Sequence, residues 1–98
     1  MIDASLIAKL KAQADLLHAQ GVAHLALFGS RARGDGAFDS DLDLIVDVRA
    51  DRKFSLLDLI GVENMISDLT GVEAHALMRR SLRQDFVRRI QDDIVEIF

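Results

Sequence analysis

Several residue types are absent from this 98-residue chain, and each absence removes a class of explanation. With no cysteine there can be no disulfide and no thiolate metal centre, and the composition suits a reducing cytoplasm, which is the expected location. No proline, internal repeat or low-complexity tract marks a linker. Residues 1–98 therefore read as a single domain, with no room for a second one that would hold a substrate. Tyrosine is also absent. The apolar stretches are far too short to span a bilayer, and Met1-Ile2-Asp3 lacks a basic region followed by an apolar core, so no membrane association is expected. What remains is an apolar content of 50%, enough for one compact core.

The formal charge is -4 and the isoelectric point near 5.2. Proteins that bind nucleic acid in general rely on basic surfaces to displace counterions, so direct nucleic-acid binding is not expected. The charges are unevenly distributed. Asp39, Asp41, Asp43, Asp47 and Asp51 concentrate negative charge in the middle of the chain, whereas Arg79, Arg80, Arg83, Arg88 and Arg89 concentrate positive charge in the last quarter. The basic run reads first as a solvated helix face, with contact to nucleotide phosphates or an acidic partner as the other option.

Residues 29–47 carry the chemistry: Gly-Ser-Arg-Ala-Arg-Gly-Asp-Gly-Ala-Phe-Asp-Ser-Asp-Leu-Asp-Leu-Ile-Val-Asp. If Leu42, Leu44, Val46 and Val48 form the buried side of a strand, a period of two puts Asp41, Asp43, Ile45 and Asp47 on the opposite face. Asp41 and Asp43 then project together, and two such carboxylates call for a cation between them. The Gly29-Ser30 turn upstream offers backbone amides and a hydroxyl to a phosphate. An EF-hand reading fails, because Leu44 stands where the loop needs glycine and Ala50 where it needs glutamate. A P-loop reading fails as well: Gly29 and Gly34 have the right spacing, but Asp35 and Gly36 follow in place of lysine and serine or threonine. The plain alternative is a solvated acidic turn before a strand.

Periodicity supplies the rest. Leu6, Leu10 and Leu17, with Ile7 and Ala14, predict a helix over about residues 3–20 that ends at Gly21. Val22–Phe28 predicts a central strand, and Arg31–Gly36 a short helix, with Asp39-Ser40 closing the loop into a strand at 41–48. His24 on the first strand has no partner at metal-ligand spacing and reads as structural. Ser55 and Asp58 predict a capped helix that buries Leu56, Leu59, Ile60, Val62, Ile66 and Leu69 and stops at Gly71. A strand at 72–78 presents Glu73, His75 and Leu77 on one face. Ser81 and Gln84 suggest a second capping box, for a helix bearing Leu82, Phe86, Val87 and Ile90, and Ile94–Phe98 a short edge strand.

Gly29-Ser30, Arg33-Gly34 and Ser40-Asp41-Leu42-Asp43-Leu44, in that order and spacing, resemble the signature of the polymerase-beta-type nucleotidyltransferase superfamily. More narrowly, nearly the whole chain resembles the minimal nucleotidyltransferases, the MNT proteins. The resemblance implies an α/β (α+β) fold, with a small mixed β-sheet flanked by helices. It implies transfer of a nucleoside monophosphate, AMP from ATP in the first instance, to a hydroxyl with pyrophosphate leaving. Asp41 and Asp43 would hold two Mg2+ ions, and Gly29 and Ser30 would receive the phosphates. Arg31 or Arg33 either adds a phosphate contact or braces the turn against a carboxylate.

The family also places a third carboxylate, usually aspartate, on the neighbouring strand. Glu73 is matched to it, completing an expected catalytic and metal-binding set of Asp41, Asp43 and Glu73, with His75 on the same face. MNT proteins are antitoxins of HEPN-type toxins and adenylylate a toxin tyrosine, which implies a hetero-oligomer with a HEPN partner. A chain without tyrosine or an acceptor domain fits modification of another protein. The unusual Glu73 motivates an alternative, a nucleotidyltransferase fold that neutralises its partner by binding alone. A nucleic-acid-modifying enzyme is disfavoured by the acidity.

Overall fold

A computed structural model of the chain describes residues 4–34 and 41–98. Two short helices, α1 (Ala4–Ala12) and α2 (Ala14–Ala19), lead into strand β1 (Val22–Phe28). The one-turn helix α3 (Ser30–Arg33) follows, then β2 (Leu42–Val48), the long helix α4 (Leu56–Thr70) and β3 (Ala74–Met78). A 3-10 turn at Arg79–Ser81 precedes α5 (Gln84–Ile90), and a second at Gln91–Asp93 precedes the two-residue strand β4 (Val95–Glu96). The strands form one sheet in the order β3-β2-β1-β4. It is mixed: β1 runs antiparallel to β2 and β4, whereas β3 runs parallel to β2 after the crossover through α4.

Alternation along the strands divides the molecule into layers. Leu25 and Leu27 of β1, Leu42, Leu44 and Val46 of β2, and Ala74 and Ala76 of β3 face a core that also takes Leu6, Leu10 and Leu17 from α1 and α2 and Leu59, Val62 and Ile66 from α4. Ala26, Phe28 and Ile45 face the other way and are covered by Leu82, Phe86, Ile90 and Ile94, with Phe28 and Phe86 meeting edge to face at 5.9 Å. Ile45 shares a face with Asp41, Asp43 and Asp47, as the period of two requires, and there α5 and its flanks make it part of a second small core. The polar neighbour Asp47 is neutralised there by Arg79, whose Nε donates to it at 2.8 Å and whose other end reaches Glu96 at 3.5 Å.

The capped helix forms as its residues dictate. The Ser55 hydroxyl accepts from the Asp58 amide while the Asp58 carboxylate accepts from the Ser55 amide, and Gly71 closes the helix in the left-handed conformation at φ 74°. Four expectations need correction. The first helix is broken at Gln13, where a tight bond from the Gln13 amide to the Leu10 carbonyl bends the chain so that Leu10 and Leu17 both stay buried. Leu56 and Ile60 are exposed, because the buried stripe of α4 follows Leu59, Val62 and Ile66 and leaves Leu56, Leu57 and Ile60 on its outer side. No capping box forms between Ser81 and Gln84: Ser81 is spent in the 3-10 turn and α5 begins at Gln84 without a side-chain cap. The strand expected at 72–78 starts at Ala74, although the Glu73 carbonyl already accepts from the Leu42 amide at 2.9 Å. The expected end of the short helix at 34–36 and the loop closure at Asp39-Ser40 fall largely outside the described residues, within which the helix stops at Arg33 and Gly34 turns left-handed.

The free edge of β3 is closed by α4. The Ser67 hydroxyl accepts from the Ala74 amide at 2.9 Å, and the Glu63 carboxylate accepts from the Ala76 amide at 2.7 Å. No helix among the described residues is long and apolar enough to cross a membrane.

Candidate active site

Among the described residues, the face of the sheet that α5 covers at Ile45 is left uncovered where β2 begins, and there the polar residues gather. Asp43 is paired with Phe28 of β1 on one side and with His75 of β3 on the other. Strand alternation then carries Asp41, Asp43 and His75 onto one surface. His75 Nε2 lies 3.1 Å from Asp41 Oδ2 and 3.9 Å from Glu73 Oε1. The donor atoms of Asp41, Glu73 and His75 lie within 4.8 Å of one another. Glu73 sits one residue before β3, with its side chain 71% exposed.

The turn at the end of β1 locks onto this group. Gly29 adopts φ 79° and ψ −158°, a region in practice open only to glycine. A β-carbon built there would meet Asp43 Oδ2 at 2.5 Å, so the carboxylate occupies the space that any other side chain would fill. Beyond it, the Arg33 amide bonds to the Gly29 carbonyl and the Gly34 amide to the Ser30 carbonyl, forming α3. Ser30 and Arg31 are half-buried in this turn. The Arg33 guanidinium reaches Asp93 at 3.4 Å, tying the turn to the segment after α5.

Burial of Asp43 against the Gly29 turn raises its carboxyl above the usual value, and the negative Asp41 adds to this, while His75 and Arg33 work in the opposite direction. His75 is raised in turn, chiefly by its hydrogen bond to Asp41 and further by the charge of Glu73. The charges of Asp41, Asp43, Glu73 and His75 in this site are therefore linked. Its donor set suits a divalent cation on chemical grounds: carboxylate oxygens for a hard ion, one imidazole, and beside them the side-chain-free cradle at Gly29.

The register gives His75 a more central position than sequence reasoning did. Strand alternation placed His75 on the same face as Glu73, but the parallel pairing that sets it beside Asp43 depends on the β3–β2 register, which a single sequence does not encode.

A family model described as a nucleotidyltransferase domain matches residues 8–97. The chain belongs to that family. This nucleotidyltransferase is 35% identical over 77 residues to a Methanocaldococcus jannaschii protein provisionally named a protein adenylyltransferase, an alignment spanning 78% of this chain and 76% of the relative. It is 31% identical over 77 residues to the protein adenylyltransferase MntA of Thermococcus cleftensis, spanning 79% and 76%. Among solved structures, one provisionally named a minimal nucleotidyltransferase superposes with a TM-score of 0.78 at 29% identity, covering 97% of this chain and 95% of the other. The fold also matches, at TM-score 0.68 and 12% identity, a chain from the complex of a tri-AMPylated Shewanella oneidensis HEPN toxin with its MNT antitoxin, covering 95% and 71%. The fold expected from sequence, a small mixed sheet flanked by helices, is the fold observed.

Proposed function

We propose that this nucleotidyltransferase transfers AMP from ATP to a hydroxyl of a HEPN-type partner protein, a tyrosine, and so acts in the cytoplasm as the antitoxin of that partner. The observation that carries the proposal is the close approach of the Asp43 carboxylate to the Gly29 turn, which sets a side-chain-free turn and an acidic group side by side. The 31% identical relative named as a protein adenylyltransferase supports the choice of AMP and of protein as acceptor. The likeness to a HEPN–MNT complex supports the choice of partner.

In this reading the amides after Gly29 and the Ser30 hydroxyl hold the triphosphate and orient its alpha phosphorus. Arg31, or Arg33 on leaving Asp93, adds positive charge toward the phosphates. Asp41, Asp43 and Glu73 are the acidic residues that would hold divalent cations, with Mg2+ the ordinary choice for oxygen donors and two ions the family pattern. A divalent ion bound there would shield the triphosphate and lower the pKa of the acceptor hydroxyl. Glu73, exposed at the edge of the acidic group, is the carboxylate placed to receive the acceptor's proton if it does not ligate an ion. The protein supplies no tyrosine of its own, so a tyrosine acceptor must come from the partner.

The test is to incubate the HEPN partner with labelled ATP and a divalent ion and to weigh the product. Addition of adenylate to the partner is expected. An unchanged partner mass under conditions in which the complex forms would overturn the reading. A second reading, neutralisation by binding alone, is favoured by one observation: the residue paired with Asp43 on β3 is His75, not a carboxylate. The double substitution Asp41→Ala with Asp43→Ala separates the two, because occlusion survives it and covalent neutralisation does not.

A further inference from the structure

The site contains a nitrogen donor in the position that the sheet register sets beside the paired aspartates. His75 is directly opposite Asp43 in the parallel β2–β3 pairing, and its Nε2 approaches Asp41 Oδ2 to 3.1 Å and Glu73 Oε1 to 3.9 Å. Two ligands at about 2.1 Å from one ion stand about 3.0 Å apart at a right angle and about 3.4 Å apart at the tetrahedral angle. The His75–Asp41 spacing falls in this range, and the Glu73 side chain, 71% exposed and 3.9 Å from the imidazole nitrogen, can swing inward to join it. An ion pair with Asp41 alone would explain the first distance. Glu73 converges on the same imidazole nitrogen, so three donor atoms lie within 4.8 Å of one another.

We infer that His75 is a ligand of the divalent ion in this nucleotidyltransferase, and that the centre therefore selects a first-row transition ion of the Mn2+ class over Mg2+. Imidazole is a borderline ligand that magnesium, a hard ion reluctant to lose water, accepts poorly, whereas manganese and its heavier neighbours take mixed nitrogen and oxygen donors. The inference rests on the proposal that the acidic group holds the catalytic cation, but it concerns which ion is bound and by which atom. His75 thus determines metal specificity. His18 and His24 lie on α2 and β1, away from the β2–β3 pairing, and serve as internal controls.

The experiment is pulsed electron paramagnetic resonance on the full chain with Mn2+ as the probe, together with direct titration of Mn2+ and Mg2+. The wild-type protein is expected to show modulation from a coordinated imidazole nitrogen and to bind Mn2+ more tightly than Mg2+ by about tenfold or more. His75→Asp keeps a donor at the position but makes it oxygen; the nitrogen signal should vanish and the preference for Mn2+ should narrow by about ten- to a hundredfold. His75→Gln should lose the signal as well, and circular dichroism establishes that each variant is folded. Bound Mn2+ without nitrogen coupling, or coupling that persists in His75→Asp, overturns the inference while leaving AMP transfer intact. A nitrogen-ligated ion in a protein that never modifies its partner instead overturns the proposed function and leaves the ligand assignment standing.

Discussion

The Asp43 carboxylate comes within 2.5 Å of where a β-carbon on residue 29 would be, so the turn after β1 and the acidic strand fit together only when residue 29 is glycine. Gly29→Ala therefore meets two penalties, a backbone conformation closed to alanine and a collision with a half-buried charge. The strain alone amounts to about 1–3 kcal/mol. The expected outcome is a folded but less stable protein in chemical denaturation, with nucleotide binding by calorimetry and transfer to the partner both reduced by about tenfold or more.

Asp43 and Glu73 should respond differently to loss of charge. Asp43 is held against the turn and flanked by two strands, whereas the Glu73 side chain is 71% exposed at the start of β3. Asp43→Asn is expected to lower the transfer rate by about two orders of magnitude or more, and Glu73→Gln by about tenfold, since water can take the place of an exposed ligand. Single-turnover rates at saturating metal and partner provide the comparison. Equal losses in the two variants would contradict this ranking.

The capping box of α4 yields a pH prediction. The Asp58 carboxyl is held below its ordinary value of 3.8 because it accepts from the Ser55 amide and hydroxyl in the folded state. A lowered folded-state value means that this contribution to stability is complete well above that ordinary value and is lost as the pH falls through the lowered one. Ser55→Ala is expected to reduce stability by about 1 kcal/mol at neutral pH. In urea titrations the gap between wild type and Asp58→Asn should shrink as the pH is lowered through the acid range.

Glu63 offers a test of the sheet edge. Its carboxylate receives the Ala76 amide at 2.7 Å, so Glu63→Ala leaves a backbone donor without its partner. The expected destabilisation is about 1–3 kcal/mol. Glu63→Gln, which retains an acceptor oxygen, should recover most of it in thermal denaturation.

Much of this was legible in the residues, for reasons that differ from element to element. The strands at 22–28 and 42–48 announced themselves as short apolar runs bounded by glycine or aspartate, and the α4 boundaries were written in Ser55, Asp58 and Gly71, whose local chemistry suffices. The exposure of Leu56 and Ile60 was not legible, because apolar residues around most of a helix leave the buried stripe undefined until the sheet chooses it. Nor was the covering of Ile45, which depends on a helix nearly forty residues further along the chain. That Asp41 and Asp43 share a face follows from their spacing alone, whereas the pairing of His75 with Asp43 is a matter of register between strands joined by a crossover, and register is a property of the assembled sheet.

By binding the outward amides of Ala74 and Ala76, Ser67 and Glu63 have a consequence for how this protein meets others. An uncovered edge would accept an extended segment from another chain and would also invite aggregation. Here the Ala74 and Ala76 amides are already taken, so strand addition along this edge is disfavoured. Under the proposed function, a partner that docks on this side meets side chains and surface shape rather than backbone, and the exposed Leu57 and Ile60 of α4 can be substituted without disturbing the strands that carry Asp41 and Asp43.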